Sequence, residues 1–253
     1  MTDTQPTAAV LLIGDEILSG RTKDKNLGFI ADMLTVLGID LKEARVVADQ
    51  EDDIVAALNA LRHRYSYVFT TGGIGPTHDD ITADAVAKAF GVPIDHDPQA
   101  VEILLAYFRE MGREPNEARM RMARMPQGAS LIDNPVSRAP GFQMGNVFVM
   151  AGVPKIMNAM MEDVARRLTR GVPMQSRTVE FQGGEGDAAK PLGDIQKAFP
   201  TVVIGSYPFQ AADGFATNLV LRARDPVALA DAYAAVRRMA EELTAQGKAR
   251  GWS

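Results

Sequence analysis

The sequence predicts an α/β fold: a three-layer structure whose parallel-type sheet has helices on both faces, followed by a small α+β module. Two observations support this prediction. Residues 8–90 contain three successive units in which an apolar, strand-like run precedes a segment with apolar residues at helical spacing. After residue 172 the pattern restarts in a β-α-β-β-α order. We therefore expect two domains, residues 1–172 and 173–253.

Strands and helices follow in order along the first domain. Each predicted strand is an apolar or β-branched run, and each predicted helix repeats apolar residues at the spacing of helical turns. The predicted strands are 8–13, 39–47, 67–69, 129–132 and 147–150. The predicted helices are 26–37, 51–61, 80–90, 98–112, 116–125 and 154–168. Residues 134–146 are expected to form a loop.

The second domain is predicted to be smaller. Its expected strands are 177–181, 201–205 and 215–221, and its expected helices are 188–199 and 225–243. Residues from 245 onward are expected to form a frayed tail.

Composition excludes several kinds of site. The chain of 253 residues carries a net charge of −5, has no cysteine and has three histidines. Disulfides and thiolate chemistry are therefore excluded, a histidine-rich zinc site is not expected, and the acidic balance argues against a nucleic-acid partner. The N-terminus shows no signal-peptide pattern, and no apolar run approaches the roughly 20 residues of a membrane span. We expect a cytoplasmic protein with no membrane partner.

The most informative stretch is residues 65–82, where a short apolar strand leads into three glycines between residues 72 and 75. Pro76 and the residues after it are typical of a helix start, which places Asp79 and Asp80 in the first turn. A strand, a glycine turn and a helix start together present backbone N–H groups to an anion, usually a phosphate. Carboxylates repel phosphate, so their presence beside the turn indicates a divalent cation or acid–base chemistry.

Two other predicted strands also end in acidic turns, one at Asp15 and Glu16 and one at Asp49. The carboxyl ends of parallel strands meet at one edge of a sheet, where ligands bind in folds of this class. The carboxylates should therefore surround the glycine turn. A bound cation would relieve their repulsion, so the pattern predicts a metal-bridged phosphate or pyrophosphate ligand.

Simpler interpretations stay open for each of these parts. The glycine turn lacks the Lys-Ser/Thr of a P-loop and the spacing of a dinucleotide fold. Asp79 and Asp80 also fit a helix cap, and Asp49 fits an N-cap residue. Arg138 is either a phosphate partner or an exposed loop residue. A solvated face is the expected position of Arg119, Arg121 and Arg124.

Several motifs together carry a family resemblance. The segment TTGGIGPTHDDIT, residues 70–82, closely resembles the signature of the MoaB/Mog molybdopterin-binding domain, in the form found in the amino-terminal domain of CinA-type competence/damage-inducible proteins and in FAD synthases. GDEILSG at 14–20, NPVSRAPGF at 134–142 and AGVP at 151–154 resemble further family motifs in the same order, with Ala151 replacing the usual proline. Residues 175–243 resemble, more loosely, the small module that follows in CinA proteins.

The resemblance implies a MoaB/Mog-like fold and assigns roles to particular residues. Asp49 and Asp80 match the acidic residues that hold metal and act on the phosphate, and Asp15 joins them as a predicted metal ligand. The residues expected to bind phosphate or the rest of the ligand are Asn26, Thr71, Gly72, Gly73, Gly75, Pro76, Thr77, Gly141, Gly152, Val153 and Pro154. The implied cofactor is Mg²⁺, Mn²⁺ or Co²⁺, with molybdopterin as a further ligand.

The resemblance leaves three functions open. The first is a metal-dependent pyrophosphatase acting on a dinucleotide such as ADP-ribose or FAD, and the second is a non-catalytic module that binds molybdopterin or a nucleotide. The third is a molybdopterin adenylyltransferase. The deamidase domain of full-length CinA and the FAD-synthesising domain do not appear in the sequence, so neither of those activities is expected. A homo-oligomer, either a dimer or a trimer, is implied.

Overall fold

The structure is a computed structural model and describes residues 5–211 and 214–249. The chain divides into two units, Met1–Gly171 and Val172–Ser253. Among the described helices, none combines the length and the apolar character that crossing a membrane requires.

The first unit contains eight described strands: β1 (Thr7–Ile13), β2 (Asp40–Val47), β3 (Tyr67–Thr71), β4 (Ile94–His96), β5 (Arg124–Pro126), β6 (Ser130–Ile132), β7 (Gly141–Met144) and β8 (Val147–Met150). Six of them form the central sheet, in the order β2-β1-β3-β8-β7-β6. Strands β2, β1, β3 and β8 are parallel neighbours, whereas β7 pairs antiparallel with both β8 and β6. A separate two-stranded sheet joins β4 and β5.

Helices cover both faces of this sheet. They are α1 (Asp15–Leu18), α2 (Asn26–Val36), α3 (Glu51–Arg62), α4 (Thr82–Phe90), α5 (Pro98–Glu110), α6 (Glu117–Met120) and α7 (Pro154–Arg167). One buried cluster packs α3, α4 and α5 against one face, with Leu58 and Leu104 among its members. A second cluster packs α2 and α7 against the other face and includes Leu34 and Met161. The predicted three-layer α/β fold is confirmed.

The start of α4 differs from the prediction, because this helix begins at Thr82 and not at Asp80. The Thr82 hydroxyl donates to the Gly72 carbonyl oxygen at 3.0 Å, and the Thr82 N–H donates to the Gly73 carbonyl at 3.0 Å. These bonds hold the helix start against the glycines, so the intervening residues form a separate turn. The placement of Asp79 and Asp80 in the first turn of the helix is therefore wrong.

The prediction for residues 116–125 was also partly wrong. Helix α6 covers one turn, a 3₁₀ turn follows at Arg121–Ala123, and the chain then enters β5. Methionines at 120, 122 and 125 gave the segment a helix-like spacing, but Met125 is buried in a strand that pairs with β4. Strand β7, similarly, lies inside the segment that was expected to be a loop.

The second unit has a three-stranded antiparallel sheet in the order β10-β11-β9 and its own buried core. Its elements are β9 (Gln175–Phe181), α8 (Glu185–Ala198), β10 (Val203–Ala211), β11 (Gly214–Ala223) and α9 (Pro226–Ala249). Strand β10 continues past the predicted end at 205 although it contains Pro208. An edge strand tolerates a proline because one side of it has no partner strand. Helix α9 likewise continues into the predicted tail, whose residues 250–253 lie outside the described residues.

Candidate active site

The turn after β3 requires glycine for steric reasons. Gly72 and Gly73 have φ angles of 106° and 66°, in the left-handed region that side chains disfavour. A Cβ at Gly72 would lie 2.1 Å from the Ile13 carbonyl oxygen, and a Cβ at Gly73 would lie 2.1 Å from the Thr82 hydroxyl. The turn therefore packs directly onto the end of β1 and the start of α4.

The backbone N–H groups of this turn are only partly available to a ligand. The Gly72 N–H donates to the Met150 carbonyl at 3.2 Å, so the expectation that Gly72 offers it to a phosphate is wrong. Among the described residues, no acceptor is assigned to the N–H groups of Gly73, Ile74 and Gly75. Consecutive unpaired N–H groups in a turn form an anion-binding concavity.

Asp80 closes the turn that follows the glycines. Its Oδ2 accepts a hydrogen bond of 2.8 Å from the Thr77 N–H and a second from the Thr77 hydroxyl. A Cβ at Gly75 would lie 2.6 Å from this same oxygen, so the carboxylate packs against the glycine backbone. One carboxylate oxygen of Asp80 is thus used to shape the turn.

Asp49 lies between β2 and α3, beside the end of β1. Its Oδ2 accepts a hydrogen bond of 2.9 Å from the Asp15 backbone N–H. Burial raises the pKa of the Asp49 carboxyl, and the charges of Asp15, Glu16 and Asp79 raise that pKa further against the opposing effect of the hydrogen bond. Four carboxylates therefore share this edge of the sheet.

A cleft of about 560 Å³ brings most of the predicted residues together. Its lining includes carboxylates, the glycine turn and the turn that leads into α7. These two turns are neighbours, since a Cβ at Gly152 would lie 3.2 Å from the Gly72 Cα. The predicted residues that line it are Asp49, Gly72, Gly73, Gly75, Pro76, Asp80, Gly152, Val153 and Pro154.

Five predicted residues do not line this cleft. Asp15 offers its backbone to Asp49, and Glu16 lines the cleft in its place. The buried Asn26 side chain donates to the Gly152 carbonyl at 2.8 Å, so it supports the cleft wall from behind. The other three have structural positions around the cleft. Thr71 lies in β3, Gly141 lies in β7, and the Thr77 N–H donates a hydrogen bond to Asp80.

The loop between β6 and β7 contributes to the cleft lining, and its Asn134 was not among the predicted site residues. Asn134 is 2% exposed and lines the cleft. Its Nδ2 donates to the Ser137 hydroxyl at 2.6 Å and to the Ala139 carbonyl at 2.7 Å, while its Oδ1 accepts the N–H groups of Val136 and Ser137. The Asn134 side chain thus forms hydrogen bonds with three other residues of the loop and stabilises its conformation. The NPVSRAPGF motif contained this signal, because a turn-forming asparagine precedes a proline there.

Other cleft residues were missed because their positions depend on tertiary contacts. Thr22 received no prediction and Met122 was expected in the core, yet both line the cleft. Asp79, which was predicted to lie beside the glycine turn, lines it as well. No periodicity in the sequence distinguishes a methionine that faces a cleft from one that fills a core.

The predicted metal ligands are only partly assembled. Over residues 5–211 and 214–249, no three His, Cys, Asp or Glu side chains are grouped as a metal site. Asp49 and Asp80 both line the cleft, however, and a Mg²⁺-like ion is usually held by one or two carboxylates together with substrate phosphates. The hard oxygen donors fit such an ion, and so does the repulsion of Asp49 by the carboxylates of Asp15, Glu16 and Asp79.

Comparison with known proteins assigns this unit to a family. The family described as "Probable molybdopterin binding domain" matches residues 9–170, which is more than half of the chain. The chain belongs to the molybdopterin-binding domain family. A second match covers the other unit, since residues 173–247 match the family described as "FAD synthase, middle domain".

Relatives of this molybdopterin-binding domain protein include CinA-like proteins. A protein of Pyrobaculum calidifontis is 35% identical over 212 residues, which cover 80% of this chain and 81% of that one. A CinA-like protein of Citrifermentans bemidjiense is 39% identical over 205 residues, which cover 79% of this chain and 48% of that protein. This chain therefore spans about half the length of that relative.

A solved structure agrees with these sequence relationships. It is titled the crystal structure of the protein CinA with unknown function from Thermoplasma acidophilum. It shares 33% identity and a TM-score of 0.59 with this chain, and the match covers 64% of this chain and 97% of that one. The resemblance to CinA-type molybdopterin-binding domains is confirmed.

Proposed function

We propose that this protein is a divalent-metal-dependent pyrophosphatase acting on a dinucleotide such as ADP-ribose or FAD. One observation supports this proposal above the others. Asp49 and Asp80, from the ends of two different strands, line the same cleft as the glycine turn. A purely phosphate-binding site would have no use for carboxylates, because they repel the ligand.

The ligand's phosphates would bind at the glycine turn. The N–H groups of Gly73, Ile74 and Gly75 have no assigned acceptor among the described residues, and they belong to residues lining the cleft. Backbone N–H groups of this kind can donate hydrogen bonds to phosphate oxygens, so no charged side chain is needed for the contact. Val153 and Ile156, which also line the cleft, would offer an apolar surface to the planar ring of a nucleotide base or a flavin.

The two carboxylates would act together. Asp49 and Asp80 would hold a divalent cation, which when bound neutralises phosphate charge and lowers the pKa of a water molecule. A carboxylate at this edge of the sheet would accept the proton of the attacking water.

The family match favours a second candidate, a module that binds molybdopterin or a nucleotide without turning it over. Residues 9–170 match a family named for molybdopterin binding, and the same glycine turn would hold the pterin phosphate. Adenylyl transfer onto molybdopterin is a further alternative that would use the same acids. Substrate turnover separates both from the proposed pyrophosphatase.

The test is hydrolysis of ADP-ribose, FAD, NAD and ATP, each with Mg²⁺, Mn²⁺ or Co²⁺, with the products identified by mass. A pyrophosphatase releases two monophosphates from a dinucleotide. Asp80→Asn should abolish this turnover, and Asp32→Asn, which changes an exposed acid on α2, should leave it intact. If the folded wild-type protein releases no monophosphate from any dinucleotide, the proposal is wrong and the binding module becomes the better account.

A further inference from the structure

Arg121 lies directly behind the glycine turn. It begins the 3₁₀ turn after α6, and its side chain is half-buried. Its Nη2 lies 3.5 Å from the Asp80 carbonyl oxygen, a long contact, and its buried Nε has no hydrogen-bond partner among the described residues. The expectation of a solvated arginine at this position is wrong.

The other two arginines of this segment have partners that Arg121 lacks. Arg119 donates to the Glu114 carbonyl and places its guanidinium 5.4 Å from the ring centroid of Phe108. Arg124 forms two hydrogen bonds with the Asp84 carboxylate, at 2.6 and 3.1 Å. Across residues 5–211 and 214–249, no carboxylate pairs with Arg121. Its charge therefore has no carboxylate partner within those residues.

The glycine turn separates Arg121 from the cleft. A small cavity of about 20 Å³ is lined by Arg121 together with Gly73, Gly75 and Asp80. The same two glycines and Asp80 line the large cleft on the other side. A charge at Arg121 acts on the cleft through one thickness of backbone. Protein atoms between two charges screen them less than bulk water does, so this charge would still act on a ligand at the turn.

We infer that Arg121 supplies the counter-charge of a pyrophosphate subsite at the glycine turn and, through the Asp80 carbonyl, positions that turn. A half-buried guanidinium without an anion is unfavourable, and a pyrophosphate group bound to the N–H groups of Gly73 and Gly75 would compensate it. The positive charge also offsets the repulsion between that ligand and the carboxylates. This inference rests on the proposed function only in placing phosphates at the same turn.

Binding of inorganic pyrophosphate with Mg²⁺, measured by calorimetry, tests the inference without any turnover. Arg121→Gln should weaken pyrophosphate binding at least tenfold, and Arg121→Lys should recover part of the loss because it restores the charge. Arg119→Gln is the matched control and should bind like the wild-type protein. In urea without ligand, Arg121→Gln should be as stable as the wild-type protein or more so, because the substitution removes an unpaired charge.

Three results would overturn the inference: no pyrophosphate binding by the wild-type protein, equal binding by Arg121→Gln, or weaker binding that Arg119→Gln reproduces. Loss of folding in Arg121→Gln would contradict it as well, because the side chain would then be needed for structure alone. Pyrophosphate binding with no hydrolysis of any dinucleotide would refute the proposed pyrophosphatase and leave this inference standing.

Discussion

The Asp49 carboxylate accepts a 2.9 Å hydrogen bond from the backbone N–H of Asp15, and this bond joins the turns that follow β1 and β2. The bond holds Asp49 at the edge of the cleft although burial and three other carboxylates raise its pKa. The ionised Asp49 carboxylate therefore destabilises the folded protein. Charged groups that lower stability in this way are typical of functional sites.

Asp49→Asn should therefore stabilise the protein at neutral pH. The pKa of Asp49 is higher in the folded protein than in the unfolded chain, so the folded state binds more protons and loses stability as pH rises above about 4. Asparagine keeps an oxygen that can accept the Asp15 N–H and removes the charge. Urea unfolding should give equal stabilities below about pH 3.5 and a more stable variant at pH 7.

The control for this experiment is Asp32→Asn, which changes an exposed acid on α2 and should leave the free energy of unfolding at pH 7 close to that of the wild-type protein. A variant that is less stable than the wild-type protein at pH 7 would contradict the interpretation of Asp49 as an unfavourable charge.

The sequence predicted the features of the site that follow from strand order. Acidic and glycine-rich turns follow β1, β2 and β3, and these strands are parallel neighbours, so their ends meet as expected. It named Asp15 as the site residue of the first turn, whereas Glu16 is the acid that lines the cleft. Asp15 and Glu16 are adjacent on one helical turn, and only the fold decides that Glu16 lines the cleft while Asp15 contributes its N–H.

The sequence also failed to predict secondary structure where the spacing of apolar residues fits a helix but the chain forms a strand. Residues 116–126 carry a helix-like spacing of methionines, yet the chain leaves the helix and pairs as β5 with β4. The energy of that pairing depends on a strand far away in sequence, which a local pattern does not contain. The position of Arg121 behind the glycine turn was unpredictable for the same reason.

Gly72→Ala should unfold or strongly destabilise the first unit. The new Cβ would lie 2.1 Å from the Ile13 carbonyl oxygen at a φ of 106°, so β1 and β3 would have to separate. We expect a loss of about 3 kcal/mol or more in the free energy of unfolding, since steric overlap adds to backbone strain. Chemical denaturation followed by circular dichroism measures the loss.

Gly28→Ala is the matched control for this substitution. Gly28 lies in α2, and a Cβ there would meet nothing within 4 Å. Because Gly28 is the third residue of α2, alanine there should stabilise the protein by no more than the gain in a helix interior, about 0.5–1 kcal/mol. If Gly72→Ala proved as stable as Gly28→Ala, the packing of the glycine turn on β1 would be wrong.

The ion pair between Arg124 and Asp84 should be worth measurable stability. Two hydrogen bonds of 2.6 and 3.1 Å join β5 to α4, and both side chains are 26% exposed, so solvent screens them only partly. A double-mutant cycle of Arg124→Ala and Asp84→Ala should give a coupling energy of about 1–2 kcal/mol.

The control is the ion pair between Arg237 and Glu241 on α9. This pair is more exposed and its N–O distance is longer, at 3.4 Å, so its coupling energy should be less than about 0.5 kcal/mol. Equal coupling in the two pairs would contradict this reasoning.

Arg138 offers a test of backbone strain in the wall of the cleft. It is an exposed residue with a φ of 60°, and its N–H donates to the Asn134 carbonyl at 3.0 Å. A non-glycine residue in this conformation destabilises the folded protein by about 1–2 kcal/mol. Glycine removes that strain, but it also gives the unfolded chain more conformational freedom, which cancels part of the gain. In urea unfolding, Arg138→Gly should therefore exceed Arg138→Ala in stability by about 0.5–1 kcal/mol.

The same two variants decide whether the Arg138 guanidinium contacts a phosphate. If it does, both variants bind pyrophosphate equally weakly, although their stabilities differ, because both lack the charge. If Arg138 affects only the conformation of the loop, the two variants should differ in pyrophosphate affinity. Glycine would relax the turn held by Asn134 and change the affinity, whereas alanine would not. We expect the first result, since the neighbouring residues Ser137 and Ala139 line the cleft and the strained residue between them carries a positive charge. Affinities that match the wild-type protein in both variants would exclude a phosphate contact at this position.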